Sequence, residues 1–443
     1  MPPVFISHSI CNYLYDIKCK ITSREKSWDV YKKYTNPYEY IHTVVPQRKK
    51  AVSKYKPISR SYFKMVEMIA EFKLDETNFN QITPQSLSSY GGFNMPTPAV
   101  DNLVPDCLRS SKFSKKFSNP IRTFHLAEGP GGFIEAICNK RNNLSDEYYG
   151  MTIILDETDD NVPAWHKTGH FLSHNPNVNI EYGIDGTGNL LHIANFEHCV
   201  QKYGGTMDLV TADGGFDFSK DFNRQEVSIA NLLWGQVCYA LCLQKLGGNF
   251  VLKIFDIFYE HTVHILYILS AFYEKVHVCK LKTSRVGNSE KYVVCKNFRF
   301  SSRSDFYPFI IESFAKITSA IPVVDSTSPN VYNRIDIFAK EPHQGILNEF
   351  YIWKILTCKI PLHFTKQVED INVIFGQQQI ENIHYTISLI DKQPKSDKLE
   401  QLIRQNTTKC INWCIDHSIL YNNFAITTAN LFDCKPMKTV SIR

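Results

Sequence analysis

Residues 121–296 predict an α/β fold with a mostly parallel sheet covered on both faces. Three observations carry that expectation. Short apolar runs alternate with stretches of helical spacing, several runs end at glycine or a carboxylate, and the last two follow each other with no helix between them. Parallel strands buried on both faces read as near-continuous apolar runs, as these do.

The elements follow in order. Ile121 to Glu128 (IRTFHLAE) is a short apolar run feeding a glycine turn, and Gly131 to Arg141 then carries Phe133, Ile134 and Ile137 on one helical face. Tyr148 to Leu155, Val178 to Ile184 and Asp208 to Asp213 are the next strands. Gln225 to Leu246 is an amphipathic helix stopped by Gly247-Gly248, followed by a strand from Asn249 to Phe255 and a helix from His261 to Glu274. Strands at Lys275 to Leu281 and Lys291 to Lys296 lack an intervening helix and should form an antiparallel hairpin at one edge.

Flanking this core, residues 1–56 form an N-terminal extension, residues 57–300 the catalytic-sized domain, and residues 301–443 a mainly helical region. Helices are expected there at Phe309 to Ala320, Ile346 to Lys359, Asp397 to Gln405 and Thr408 to Tyr421. A hydrophobic share of 43% is ample for a buried core and argues against bulk disorder. No secretory signal opens the chain, and the longest apolar stretch, His261 to Phe272, is too short to span a bilayer; a soluble, intracellular protein without a membrane role is expected.

Net charge is only +5, but its distribution is uneven. Thirteen Lys and Arg stand against four acids between Met1 and Lys64, and a second basic stretch runs from Arg109 to Arg122. Both interleave with Tyr and Phe, which suits a phosphate backbone bearing stackable bases as well as an ordinary solvated surface. Thirteen scattered cysteines fit a reducing compartment. Cys410, Cys414 and His417 share one helix face, but only Cys434 offers itself as a fourth ligand, so no metal is expected.

The chemistry concentrates at strand ends. Glycines in Glu128-Gly129-Pro130-Gly131-Gly132-Phe133 let the backbone approach a ligand at the carboxyl edge of the sheet, where open α/β folds bind theirs, although the turn also reads as a plain tight connection. Asp185 ends the third strand; it reads equally as an acceptor for an exocyclic amine or as an Asx-turn residue before Gly186. Asp213 closes its strand ahead of Gly214-Gly215, and Lys253 lies in an apolar strand where a lysine is costly unless paired. Lys64 sits on a helix before the sheet and alone would pass for a surface lysine; Glu290 stands at the mouth of the final strand.

Taken together, SRSYFKMVEM, LAEGPGGF, YGMTI, GIDGTGN, ADGGFDF and NSEKYVVCKNF resemble the FtsJ-like (RrmJ-type) RNA 2'-O-methyltransferases, most of all their mRNA cap-1 branch, which includes enzymes of large cytoplasmic DNA viruses. The likeness covers residues 56–300. His125 and Ala127 depart from it, replacing the Asp and Gly that open the motif in ribosomal-RNA relatives.

The resemblance implies a Rossmann-like class I methyltransferase sheet and a Lys64-Asp213-Lys253-Glu290 tetrad. It further implies S-adenosyl-L-methionine as donor, held by Glu128 to Phe133, Asp185 and Asp213. The acceptor would be the ribose 2'-hydroxyl of the first transcribed nucleotide of capped mRNA. A neutral Lys253 would take the hydroxyl proton; like-charge repulsion from Lys64 favours that neutral form, while Asp213 and Glu290 orient the lysines and act the other way. A methylated guanine is a cation that aromatic rings can sandwich, and Trp28, Tyr31, Tyr38 and Phe93 are available. A cytoplasmic setting follows, in a virion or viral factory for a viral chain, or a nuclear one for a cellular cap enzyme; the C-terminal region is free to bind a protein partner. Ribosomal or transfer RNA methylation, and a non-catalytic RNA-binding scaffold, are the competing readings. Amino-group methylation lacks its Asn/Asp-Pro-Pro-Tyr motif.

Overall fold

The computed structural model describes residues 2–76, 119–154, 165, 167–215, 222–320, 352, 354–422 and 424. Among them, seven strands build one sheet: β1 Arg122–Leu126, β2 Glu147–Met151, β3 Val178–Ile180, β4 Met207–Ala212, β5 Gln244–Ile254, β6 Tyr273–Cys279 and β7 Lys291–Phe298. Their order is β3-β2-β1-β4-β5-β7-β6. β1 pairs in parallel with β2 and β4, and β4 in parallel with β5. Chain order reverses between β1 and β4, so the crevice beyond their carboxyl ends is where this topology leaves room for a ligand.

The expected hairpin forms, with β6 at the edge and β7 antiparallel to it. β7 also lies antiparallel to β5. That reversal puts the start of β7, next to Glu290, level with the carboxyl ends of β4 and β5.

The helices are α1 His8–Thr22, α2 Glu25–Tyr31, α3 Ser61–Phe72, α4 Gly132–Arg141, α5 Gly169–His174, α6 Ile193–Tyr203, α7 Gln225–Ser228, α8 Ala230–Leu243, α9 Glu260–Phe272, α10 Tyr307–Ala320, α11 Leu362–Lys392 and α12 Ser396–Asp416. α8 is apolar all round and buried almost throughout, as a helix must be when it packs on β4 and β5 and is itself covered by α6, α9 and α10. Phe314 of α10 stacks on Phe196 of α6 at 4.4 Å to close that layer. None of the helices in the described residues is long and apolar enough to cross a membrane.

Several expectations need correction. The helix expected over Gln225 to Leu246 breaks at Ile229 and stops at Leu243, because Gln244 already belongs to β5, where its side chain holds Asn249 O and Tyr273 Oη. Of the helix expected over Ile346 to Lys359, residues 354–359 are not helical; 346–351 and 353 lie outside the described residues. Asp397 to Gln405 and Thr408 to Tyr421 are a single helix, α12, ending at Asp416. The 31-residue α11 was not anticipated at all.

The chain divides into two compact units, residues 1–23 with 57–384 and residues 24–56 with 385–443. The first contains the whole sheet. Within the second, α12 packs on a 3-10 turn at Glu39–Ile41, and Asn406 Nδ2 donates to Tyr34 O at 2.8 Å. Arg24 and Asp391 form an exposed ion pair there at 2.8 Å.

Candidate active site

Four charged side chains from four elements meet beyond the carboxyl ends of β4 and β5. Lys64, on α3, places its ammonium 2.7 Å from Glu290 Oε1 and donates to Oε2 at 2.8 Å. Lys253, on β5, donates to the backbone carbonyl of Asp213 at 2.6 Å and lies 3.3 Å from its Oδ1. Asp213 is the first residue after β4, and its N–H is tied to Leu126 O of β1.

Tyr292 joins the two pairs. Its hydroxyl donates to Asp213 Oδ1 at 2.8 Å and accepts from Lys64 at 3.3 Å. Lys253 and Tyr292 are direct partners across β5 and β7, so their side chains share a sheet face. The sequence placed Tyr292 in an apolar run. The signal that finds it is that a buried tyrosine hydroxyl must have a partner.

The electrostatics follow from burial and pairing. All four side chains are between 9% and 14% exposed, so water screens them little. Burial lowers the Lys64 ammonium below its ordinary value, against the opposing pull of Glu290 and Asp213. Burial would raise the Glu290 carboxyl, yet Lys64 and Lys253 hold it well below the usual carboxylate range. Two amines and two carboxyl groups thus converge on one spot. Ser284 Oγ adds a hydrogen bond to Glu290 Oε1 at 2.7 Å.

The glycine turn lies alongside. Gly131 takes φ +100°, a conformation open to glycine, and a Cβ there would press on the Trp165 ring. Gly132 begins α4 against the start of α3; a Cβ would collide with Ser59 Oγ and Ser61 Oγ. That close approach fixes α3, and Lys64 with it, beside the turn. Ala127 is left-handed at φ +54° where glycine is the easy choice. Its neighbour His125 is buried in β1, bonded to Thr123 Oγ1 at 2.8 Å and Thr211 Oγ1 at 2.7 Å. Burial raises the Glu128 carboxyl, while His125 and Thr211 pull it down.

These residues fit an adenosyl donor with a carboxylate-accepting, amine-bearing end. Trp165 Nε1 is buried without a hydrogen-bond partner among the described residues, and such atoms normally have one, while Glu128 Oε2 faces His125 Nδ1 at 3.3 Å. Gly214 packs against Gln236 and Leu232 of α8, and a Cβ on Gly215 would fall 3.2 Å from Lys253 Nζ.

Asp185 lies in the loop after β3 rather than at its end. Its Oδ1 accepts from Thr187 N, Thr187 Oγ1 and Asn195 Nδ2, and Oδ2 faces His192. This is an Asx turn; the carboxylate retains one oxygen able to accept more. Trp28, Tyr31 and Tyr38 belong to the second unit, where Tyr31 and Tyr34 meet edge-on at 5.8 Å. Phe93 and residues 109–118 of the basic stretch fall outside the described residues, and Arg122 is paired with Glu147 at 2.7 Å. Cys410 Sγ contacts Pro37 O, His417 Nδ1 contacts Trp413 O, and no metal-holding group occurs among the described residues.

Residues 107–298 match the family of FtsJ-like methyltransferases. The FtsJ-like methyltransferase domain is that segment, 192 of the 443 residues. Over 196 residues the chain is 33% identical to cap-specific mRNA (nucleoside-2'-O-)-methyltransferase 2 of Drosophila melanogaster, covering 40% of this chain and 27% of that protein. It is 37% identical over 179 residues to cap-specific mRNA (nucleoside-2'-O-)-methyltransferase 1 of Trypanosoma cruzi, covering 38% and 46%. The Mus musculus methyltransferase 2 gives 32% over 200 residues, covering 44% and 26%. The chain therefore spans less than half the length of each of these relatives. All four tetrad residues but Lys64 lie inside the matched FtsJ-like segment.

Proposed function

We propose that this protein is an S-adenosylmethionine-dependent RNA 2'-O-methyltransferase acting on the first transcribed nucleotide of capped mRNA. The observation that carries the reading is the convergence of Lys64, Glu290, Asp213 and Lys253 beyond the carboxyl ends of β4 and β5. The cap specificity named for the relatives supports the choice of RNA.

The donor, held by Glu128 to Phe133 and by Asp213, supplies a methyl group on a sulfonium. Everything else falls to the side chains of the chain. Lys253, held on Asp213 by two contacts and acting as the neutral amine, receives the proton of the ribose 2'-hydroxyl on its Nζ as the oxygen becomes nucleophilic. Lys64 stays paired to Glu290 and supplies the adjacent positive charge that favours the developing alkoxide. Tyr292 ties both halves together, so the two amines keep a fixed separation. A 2'-hydroxyl as acceptor selects RNA over DNA.

The test is methyl transfer from labelled S-adenosylmethionine to matched capped and uncapped short RNAs, with the modified nucleotide mapped by digestion. Label on the 2'-oxygen of the first nucleotide, on capped RNA only, is expected. Equal labelling of uncapped RNA would assign a ribosomal or transfer RNA substrate instead.

A further inference from the structure

Glu290 is carried at the end of a loop of eleven residues, 280–290, between Cys279 of β6 and Lys291 of β7. A loop of that length does not fix a carboxylate by itself. At its start, Lys280 turns back across the loop and donates to the carbonyls of Asn288 and of Glu290, the latter at 2.7 Å. Lys291 takes the intervening carbonyl of Ser289 at 3.0 Å, so two ammoniums bind three successive carbonyls. The Glu290 N–H is bonded in turn to Asn288 Oδ1 at 3.2 Å.

We propose that Lys280 is a positioning residue: by clamping the backbone on both sides of Ser289, it holds the Glu290 carboxylate against Lys64. This deepens, and rests on, the catalytic reading of the Lys64–Glu290 pair.

The residue type suits the task. An ammonium offers three donors and no acceptor, so one side chain can satisfy two converging carbonyls. Burial, with Lys291 close by, lowers the Lys280 amine to about 7. The start of the loop just past Lys280 is held independently. Glu67 of α3 accepts from the backbone N–H groups of Lys282 and Thr283, at 2.6 and 3.1 Å. Without Lys280, the segment bearing Glu290 loses two backbone ties and keeps those of Lys291 to Ser289 O and of Ser289 Oγ to Gln225.

The test compares the full-length chain with Lys280→Met, Lys280→Arg, Glu290→Gln and the Lys280→Met/Glu290→Gln double variant, each checked for folding by thermal melt. Two quantities are read: steady-state methyl transfer to capped RNA, and the acetic anhydride acylation rate of Lys64, which needs no donor. Lys280→Met should lower kcat about 10- to 100-fold, as a misplaced catalytic group does. The KM for RNA should stay within about threefold of the parent. Lys64 should be acylated several-fold faster, and Lys280→Arg should recover most of both effects. The double variant should be no worse than Glu290→Gln alone, the mark of one residue acting through another. Unchanged Lys64 protection in Lys280→Met, or additive losses in the double variant, overturns the proposal. A parent chain that methylates no RNA overturns the functional reading instead, and the acylation rates still decide the role of Lys280.

Discussion

Lys64 and Glu290 stand 226 positions apart and meet at 2.7 Å, with side chains only 9% and 12% exposed. Neither charge could be left alone in such a place, and each accounts for the other.

Glu290→Gln should therefore cost stability as well as activity. Stripping one partner from a buried pair typically costs about 3–5 kcal/mol. Lys64 is already lowered by burial, and without Glu290 it is lowered further, so the unfolded chain binds the extra proton. The loss in urea melts should be largest near neutral pH and shrink as pH rises toward that of free lysine. An identical loss across that range would contradict the account.

Lys253→Met keeps the length of the side chain and removes the base. Turnover should fall by about 10²–10⁴-fold. Binding of the donor, read by calorimetry with its demethylated product, should be nearly unchanged, since the glycine turn belongs to β1 and α4. Near-normal turnover would remove Lys253 from the proton-transfer role.

Tyr292→Phe deletes one hydroxyl that serves both pairs. Asp213 loses a donor and Lys64 an acceptor, each worth about 1–3 kcal/mol in a buried setting. Single-turnover rates should drop by roughly tenfold or more with KM little affected. A variant equal to the parent in rate would mean the pairs are held without the bridge.

Asp256 lies between Lys18, at 2.9 Å, and Lys291, at 3.4 Å. Burial raises its carboxyl, but the two lysines outweigh that and bring it from 3.8 to about 2. A depressed carboxylate stabilises the fold above its unfolded value, and that stability is lost as pH falls from 3.8 toward 2. The shift corresponds to about 2 kcal/mol. Denaturant melts from pH 2 to pH 6 should lose that increment of slope in Asp256→Asn.

Gly132→Ala should uncouple the donor turn from Lys64. The added methyl meets Ser59 Oγ, Ser61 Oγ and Tyr62 N, and forcing it in should cost about 1–3 kcal/mol. Ser59→Ala/Ser61→Ala in the same chain should recover part of the loss in thermal melts. No recovery would place the strain elsewhere.

Much of this was legible in the sequence for a physical reason. Asp213 and Lys253 betray themselves because a charge at or inside an apolar strand has few innocent explanations, and the missing helix between the last two strands dictates the hairpin. Tyr292 was not legible, since an aromatic in a strand reads as core until its hydroxyl is followed to Asp213. Lys280 was hidden likewise: one lysine among several, distinguished only by the carbonyls it reaches. α11 escaped notice because it is rich in Ile, Val and Thr, weak helix formers, and is interrupted by Gly376. That glycine has a packing reason, as a Cβ would strike Ile10 of α1. Asp185 sits in a motif open to two readings, and its Oδ1 is taken up by Thr187 of its own loop and Asn195 of α6.

The backward course of β7 also orders events in time. Glu290 is the last of the four ionic groups to leave the ribosome, and it reaches its place only when the β6–β7 pair has closed onto β5. Until then a nascent chain owns the glycine turn, Asp213 and Lys253, while Lys64 has no counter-ion. Any translation product stopping short of that pair would hold three corners of the arrangement and be inert rather than merely slow.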